Sequence, residues 1–247
     1  MGVFAKSARL FFLGLVVKSA SLVFLALIVV WSLVRAIRYK SLYPFMSVRH
    51  NFGKRRDTFR RTLDLLSERK AKILVETGTA RIGLRGAKGN GASTIIFATW
   101  AQKNDAVLHS VDISEESIIG AKDEAVRLGL VECVKWHRED SVEFLAKFRE
   151  PVDFLYLDSY DYDKKDTSIQ IASQEHHLAE FKAIESRLHE KSLVLIDDCR
   201  LPNGGKGKLA IEYMLGRGWE MLMSEYQILL VRSGDDDRGR GNHPDCR

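Results

Sequence analysis

Residues 73–79 read Ile-Leu-Val-Glu-Thr-Gly-Thr, and residues 192–198 read Ser-Leu-Val-Leu-Ile-Asp-Asp. Each is a short, nearly uninterrupted apolar run that ends on an acid. That is the pattern of a strand buried on both faces whose C-terminal end opens onto polar surroundings. Residues 107–112 (VLHSVD), 132–137 (followed by Asp140-Ser141) and 153–158 (DFLYLD) share this pattern. Helical patterns fill 92–102, 115–128, 141–148, 173–190 and 206–215. Alternation of this kind predicts a parallel α/β sheet with helices on both faces. Segments 219–224 and 226–232 have no helix between them, so a terminal antiparallel hairpin brings the sheet to seven strands. Residues 234–247 are Asp-, Gly- and Arg-rich without apolar period, the composition of a disordered charged tail.

The chain has 247 residues, 45% hydrophobic and 29% charged, which excludes a disordered chain and a polytopic membrane protein. Cys133, Cys199 and Cys246 are widely spaced and make neither a disulfide framework nor a CxxC metal site, so a reducing compartment is the simpler reading. The net charge of +5 hides an asymmetry. Residues 1–61 hold twelve Lys/Arg against Asp57 alone, for +11, and residues 62–247 carry −6. No nucleic-acid partner is expected of such a body.

Residues 10–34 read LFFLGLVVKSASLVFLALIVVWSLV, with Lys18 the one charge. Residues 19–34 fall short of the roughly 20 a bilayer needs, and including 10–17 makes the segment long enough. A secretory signal disagrees with the length and with Arg35, Arg38 and Lys40, which stand where a cleavage site belongs. Trp31, Tyr39 and Tyr43 suit an interface. Arg49, Lys54, Arg55, Arg56, Arg60 and Arg61 put their flank in the cytoplasm and offer contact to anionic head groups. The expectation is a single-pass anchor and basic linker over 1–50, with membrane lipid contacted through 10–34, and a cytoplasm-facing domain over 51–233. In-plane insertion and a partner-binding helix are the alternatives, and a homo-oligomer stays open.

In doubly wound sheets ligands bind beyond the carboxyl ends of the strands. All five strand ends here present an acid. The P-loop pattern fails, since Gly78 and Gly83 are followed by Leu84-Arg85, and GxGxxG is absent. The loop 80–91 is glycine-rich, and Asp112 lies 21 residues beyond Gly91, near the spacing of an acid that takes ribose hydroxyls. A nucleoside-type ligand without a tightly gripped pyrophosphate fits best; a surface loop beside an unrelated strand-end acid is the plainer alternative.

The ordered series VETGT…GAST, SVDIS, EDSVEFL, DFLYLDS, LVLIDD and YQILLVR resembles the class I S-adenosylmethionine-dependent methyltransferases over roughly residues 55–232. The resemblance implies a Rossmann-like fold. It implies cofactor contacts from Glu76, Gly78, Thr79 and Ser93 on the methionine part, Asp112 on the ribose, Asp140 and Ser141 near the adenine, and Asp158. The stretched loop 79–91 departs from the family's compact glycine loop.

Asp158 would converge with Asp197 and Asp198, and three carboxylates at one point call for a cation. Mg²⁺ is the common choice. The set is similar to that of metal-dependent O-methyltransferases acting on catechols, acyl-CoA phenols and sugar hydroxyls, where the ion acidifies and orients the acceptor hydroxyl. Catechol-type relatives place a Lys just after the strand-four acid. Here that place holds Asp161, and His176 or His177 is the other candidate base. Lys206, Lys208, Arg81, Arg85 and Lys88 either hold an anionic substrate group or lie in solvated loops.

The expected function is Mg-assisted methyl transfer, at a membrane, to a hydroxyl of a sugar, phenol or lipid-linked small-molecule acceptor. The alternative is a non-catalytic cofactor-binding or membrane-docking module. An NAD-dependent oxidoreductase is disfavoured by the missing GxGxxG and by the terminal hairpin.

Overall fold

A computed structural model describes residues 26, 27, 29–31 and 52–234, and the chain divides into two compact units, Met1–Arg49 and His50–Arg247. The described residues of the first unit are helical and exposed. Most of the expected anchor and nearly all of the expected tail lie outside the described residues. No helix among the described residues is long and apolar enough to cross a membrane.

In the second unit the chain runs α1 (Arg56–Arg69), β1 (Ile73–Thr77), α2 (Ser93–Asn104), β2 (Val107–Asp112), α3 (Glu115–Arg127), β3 (Val134–Arg138), α4 (Ser141–Lys147), β4 (Val152–Leu157), α5 (Thr167–Ile184), β5 (Leu188–Ile196), α6 (Lys208–Leu215), β6 (Trp219–Ser224) and β7 (Ile228–Arg232). The seven strands lie in the order β3-β2-β1-β4-β5-β7-β6. The first five are parallel; β7 runs antiparallel to β5, and β6 antiparallel to β7. This is the sheet the alternation of patterns predicts. Its direction of winding reverses between β1 and β4, so the crevice above that pair is the place for a ligand.

Leu74, Val75, Phe154, Leu155, Leu193, Val194 and Leu195 are wholly buried on the central strands. On one face α1 and α2 bring Phe59 and Phe97 onto Tyr156, with ring centroids 6.1 and 5.2 Å away. On the other, Phe181 of α5 meets Trp219 of β6 edge-on at 5.9 Å.

Several helical boundaries differ from expectation, and β5 begins at Leu188, inside the stretch 173–190 expected to be helical. α5 starts at Thr167, six residues early, because the Asp166 side chain caps it by accepting from the amides of Ser168 and Ile169. Its buried face includes Gln170, Ser173, Gln174, His177 and Glu180, so no apolar period marks it. The sequence pattern marks no helix over α1, whose first turns carry Arg56, Arg60 and Arg61 of the flank expected to meet head groups; Phe59, Leu63 and Leu66 are nonetheless fully buried.

His109 and His137 stack in parallel with centroids 5.2 Å apart and ring nitrogens at 3.1 Å. Burial and the neighbouring His137 push His109 down to about 4. A histidine whose folded pKa lies below its unfolded value contributes stability that is whole above about 6.5 and is lost as pH falls toward 4. The expected contribution is about 3 kcal/mol across that window. It is read as the difference in pH slope between wild type and H109Q in urea melts, and parallel slopes would refute it.

Candidate functional site

A cavity of about 550 Å³ opens over the carboxyl ends of β1, β2 and β4. Gly78 makes the approach of strands possible there: its φ is +83°, and a Cβ would stand 2.5 Å from the Asp158 carbonyl oxygen. The Gly78 amide donates to Val111 O at 2.8 Å, and the Asp158 amide to Thr77 O at 3.0 Å, so the ends of β1, β2 and β4 are laced together.

Of the residues assigned to the cofactor, Gly78, Thr79, Asp112, Asp140, Ser141 and Asp158 line this cavity. Asp112 accepts from the Thr79 amide (2.9 Å) and hydroxyl (2.8 Å) at one oxygen and from the Ser114 amide (2.8 Å) at the other. The carboxylate is thereby fixed on the wall, with about one of its four acceptor sites left for a ribose hydroxyl. Asp140 caps α4 by accepting from the Glu143 amide at 3.0 Å.

Glu76 and Ser93 stand apart from the lining set. Both are buried, and Glu76 Oε1 accepts from the Ser110 hydroxyl at 2.6 Å. Burial pushes Glu76 up to about 7. Side-chain hydrogen bonds from Ser110, Thr94 and Ser93 partly offset that burial.

Asp158, Asp197 and Asp198 converge as the strand order requires, but the cation among them belongs to the chain. Arg55 Nε donates to both oxygens of Asp197 at 2.9 and 2.6 Å, and a terminal guanidinium nitrogen donates to Asp198 at 2.8 Å. Lys206 Nζ lies 2.8 Å from Asp158 and 3.7 Å from Asp198. Tyr156 donates its hydroxyl to Asp197 at 2.5 Å and reaches Asp158 at 3.4 Å. Every carboxylate oxygen of the trio therefore meets a protein donor or cation. The expected Mg²⁺ does not fit this set, because Arg55 and Lys206 already place a positive charge within 2.8 Å of each of the three carboxylates and would repel a dication at the same point. Among the described residues no group of three or more His, Cys, Asp or Glu is arranged to hold a metal.

Burial works against the charge on Arg55 and Lys206. Asp197 outweighs it for Arg55, and Asp158 with Asp198 for Lys206, so both pKa values rise above their ordinary range. Arg55, expected to face lipid, is instead 5% exposed, and Lys206 is buried rather than in a solvated loop.

The three candidate bases separate. Asp161 is exposed at the cavity mouth, 3.3 Å from Arg81. His177 is turned away: it is fully buried, its Nδ1 lies 2.7 Å from the Ser173 carbonyl, and burial pushes it down to about 4. His176 lines the cavity, with Nε2 3.0 Å from Ser141 Oγ and 3.4 Å from Glu180 Oε1. Glu180 is wholly buried and also accepts from the Ser159 hydroxyl at 2.7 Å. Burial disfavours the ionised carboxylate, yet the hydrogen bond from His176 and the His177 and His176 charges bring Glu180 down to about 2. Burial opposes the imidazolium of His176 as well, and Glu180 outweighs it, raising the His176 pKa. Sequence reading missed Glu180, though its i,i+4 spacing from His176 on a helix is a usable signal.

Residues 88–199 match the family model for a methyltransferase domain. No curated protein sequence matches the chain significantly. Among solved structures, the SAH-bound Podospora anserina methyltransferase PaMTH1 aligns with a TM-score of 0.54 at 14% identity, covering 77% of this chain and 81% of that one. An O-methyltransferase from Bacillus cereus in complex with SAH aligns at 0.51 and 15%, covering 72% and 80%. These likenesses establish the fold, and the resemblance seen in the sequence holds at that level.

Proposed function

We propose that this chain, built on the class I S-adenosylmethionine-dependent methyltransferase fold, transfers a methyl group to a hydroxyl oxygen of an acceptor presented at a membrane surface. The observation that carries the reading is one cavity with the Asp112 carboxylate on one wall and the His176–Glu180 pair on another. When bound, S-adenosylmethionine supplies an electrophilic methyl on a sulfonium. Asp112 would hold a ribose hydroxyl, Asp140 and Ser141 would border the base, and Gly78 would leave room for the methionine part.

The chain's own chemistry is proton removal. Nε2 of His176 is engaged by Glu180 and Ser141, which leaves Nδ1 to carry the lone pair of the neutral ring. That nitrogen would take the acceptor's hydroxyl proton, and the buried Glu180 carboxylate would stabilise the resulting imidazolium, the base-and-orienter arrangement of general-base catalysis. Lys206 is unsuited to this work, because Asp158 and Asp198 keep it charged.

The membrane half of the reading is supported by the apolar run 10–34, the basic residues Arg35, Arg38, Lys40 and Arg49 that follow it and the exposed Leu27, Val29, Val30 and Trp31. A tether raises the effective concentration of a sugar, phenol or lipid-linked acceptor in the same bilayer.

Calorimetric titration of the full-length chain with S-adenosylhomocysteine tests the reading, and absence of binding at millimolar ligand would overturn it. D112A is expected to weaken that binding by about 1.5–3 kcal/mol, one to two orders of magnitude in Kd. An unchanged Kd would remove Asp112 from the ribose site.

A further inference from the structure

We infer that this site carries its own cation pair in place of a divalent metal: Arg55 and Lys206 neutralise Asp158, Asp197 and Asp198, and hold the β4–β5 end of the cavity in shape without a bound ion. The inference deepens the proposed function and rests on it only for the statement that the cavity beside these carboxylates is the site of methyl transfer.

The argument is one of charge and reach. Three carboxylates at the ends of β4 and β5 carry up to three negative charges, and Arg55 and Lys206 return two positive ones. Both cations are held by backbone carbonyls as well as by carboxylates. Besides its two carboxylates, Arg55 donates to the Gly89 carbonyl at 2.7 Å, and Lys206 Nζ lies 3.0 Å from the Ser159 carbonyl. These contacts tie both side chains to the strand ends and the neighbouring loop, so they act as positioning residues.

Arg55 joins the start of α1 to the loop after β1 and the end of β5. Lys206 joins the segment before α6 to the end of β4. A divalent ion coordinated by these carboxylates would draw the same strand ends together. Lys206 reaches Asp158 from 48 residues further along the chain, at 2.8 Å.

The geometry also shapes Asp198, whose φ is +54°. An aspartate tolerates this left-handed conformation, as an asparagine would, so D198N removes charge without forcing the backbone.

The experiment is Mn²⁺ titration, followed by electron paramagnetic resonance, of full-length wild type, D198N and K206M. Wild type and D198N are expected to bind no stoichiometric Mn²⁺ at millimolar concentration. K206M frees oxygens of Asp158 and Asp198 and is expected to gain Mn²⁺ affinity on the order of tenfold or more, since affinity follows the free ligand charge. Stoichiometric Mn²⁺ on wild type, lost in D198N, overturns the inference, as does a folded K206M that gains nothing. Should K206M fail to fold, the wild-type and D198N titrations decide alone. Binding of S-adenosylhomocysteine to wild type is scored separately, so a chain that binds neither cofactor nor Mn²⁺ refutes the methyltransferase reading and leaves the cation pair standing.

Discussion

Alanine at position 55 is expected to cost about 3–5 kcal/mol of unfolding free energy, the range for removing one partner of a buried ion pair. Asp197 is completely buried and shares both oxygens with Arg55 Nε at 2.9 and 2.6 Å. Without the guanidinium its charge stays in a low-dielectric interior with only the Tyr156 hydroxyl and the Asp198 amide, at 2.6 Å, as donors. The guanidinium also packs over the Tyr226 ring at 4.7 Å and fills space beside Gly91. Urea unfolding monitored by tryptophan fluorescence gives the number. The double variant R55A/D197N removes the stranded charge and is expected to recover a substantial part of the loss. A loss below about 1 kcal/mol for R55A would place the pair with weak surface bridges and refute its role as a structural cation.

The second large effect concerns rate. His176→Gln is expected to lower kcat by about 10²–10⁴, the usual contribution of a general base, with the cofactor Kd changed little. The sign of the pH dependence follows from the raised His176 pKa. The base works as the neutral ring, so kcat rises with pH and levels off above an inflection higher than the ordinary 6.5 of histidine. Glu180→Gln removes the charge that raises this pKa, so the inflection moves to lower pH and kcat falls as well. A pH profile of kcat unchanged in H176Q would assign the proton to another group.

Much of the sheet was legible because β1, β4 and β5 are largely apolar runs with an acid at or just after their ends. β1, β2 and β6 occupy the stretches expected for them. The convergence of Asp158 with Asp197 and Asp198 followed from strand order alone. What neutralises them did not. Arg55 stands 142 residues before Asp197, inside a basic run that suits a lipid surface equally well. Lys206 sits in a glycine-rich stretch with no local sign of burial. α5 was misplaced for a related reason: its inward face carries Gln170, Gln174, His177 and Glu180, polar groups whose burial depends on partners from other elements. The same polarity that hid the helix boundary supplies the His176–Glu180 pair.

The reach of Arg55 has a consequence for the order in which the molecule is made. Its guanidinium is synthesised near the start of the domain and waits for carboxylates that leave the ribosome only with the end of β5. Contacts this distant in sequence close late, after local pairings have formed. α1 and the β1–β2 region can therefore assemble first as an open half-sheet. The docking of Arg55 onto Asp197 and Asp198 then completes the cavity wall beside Gly89. A ribosome-bound or prematurely ended chain lacking β5 would be left with an unpaired basic segment and no finished pocket, so competence to act would arrive together with nearly the whole domain.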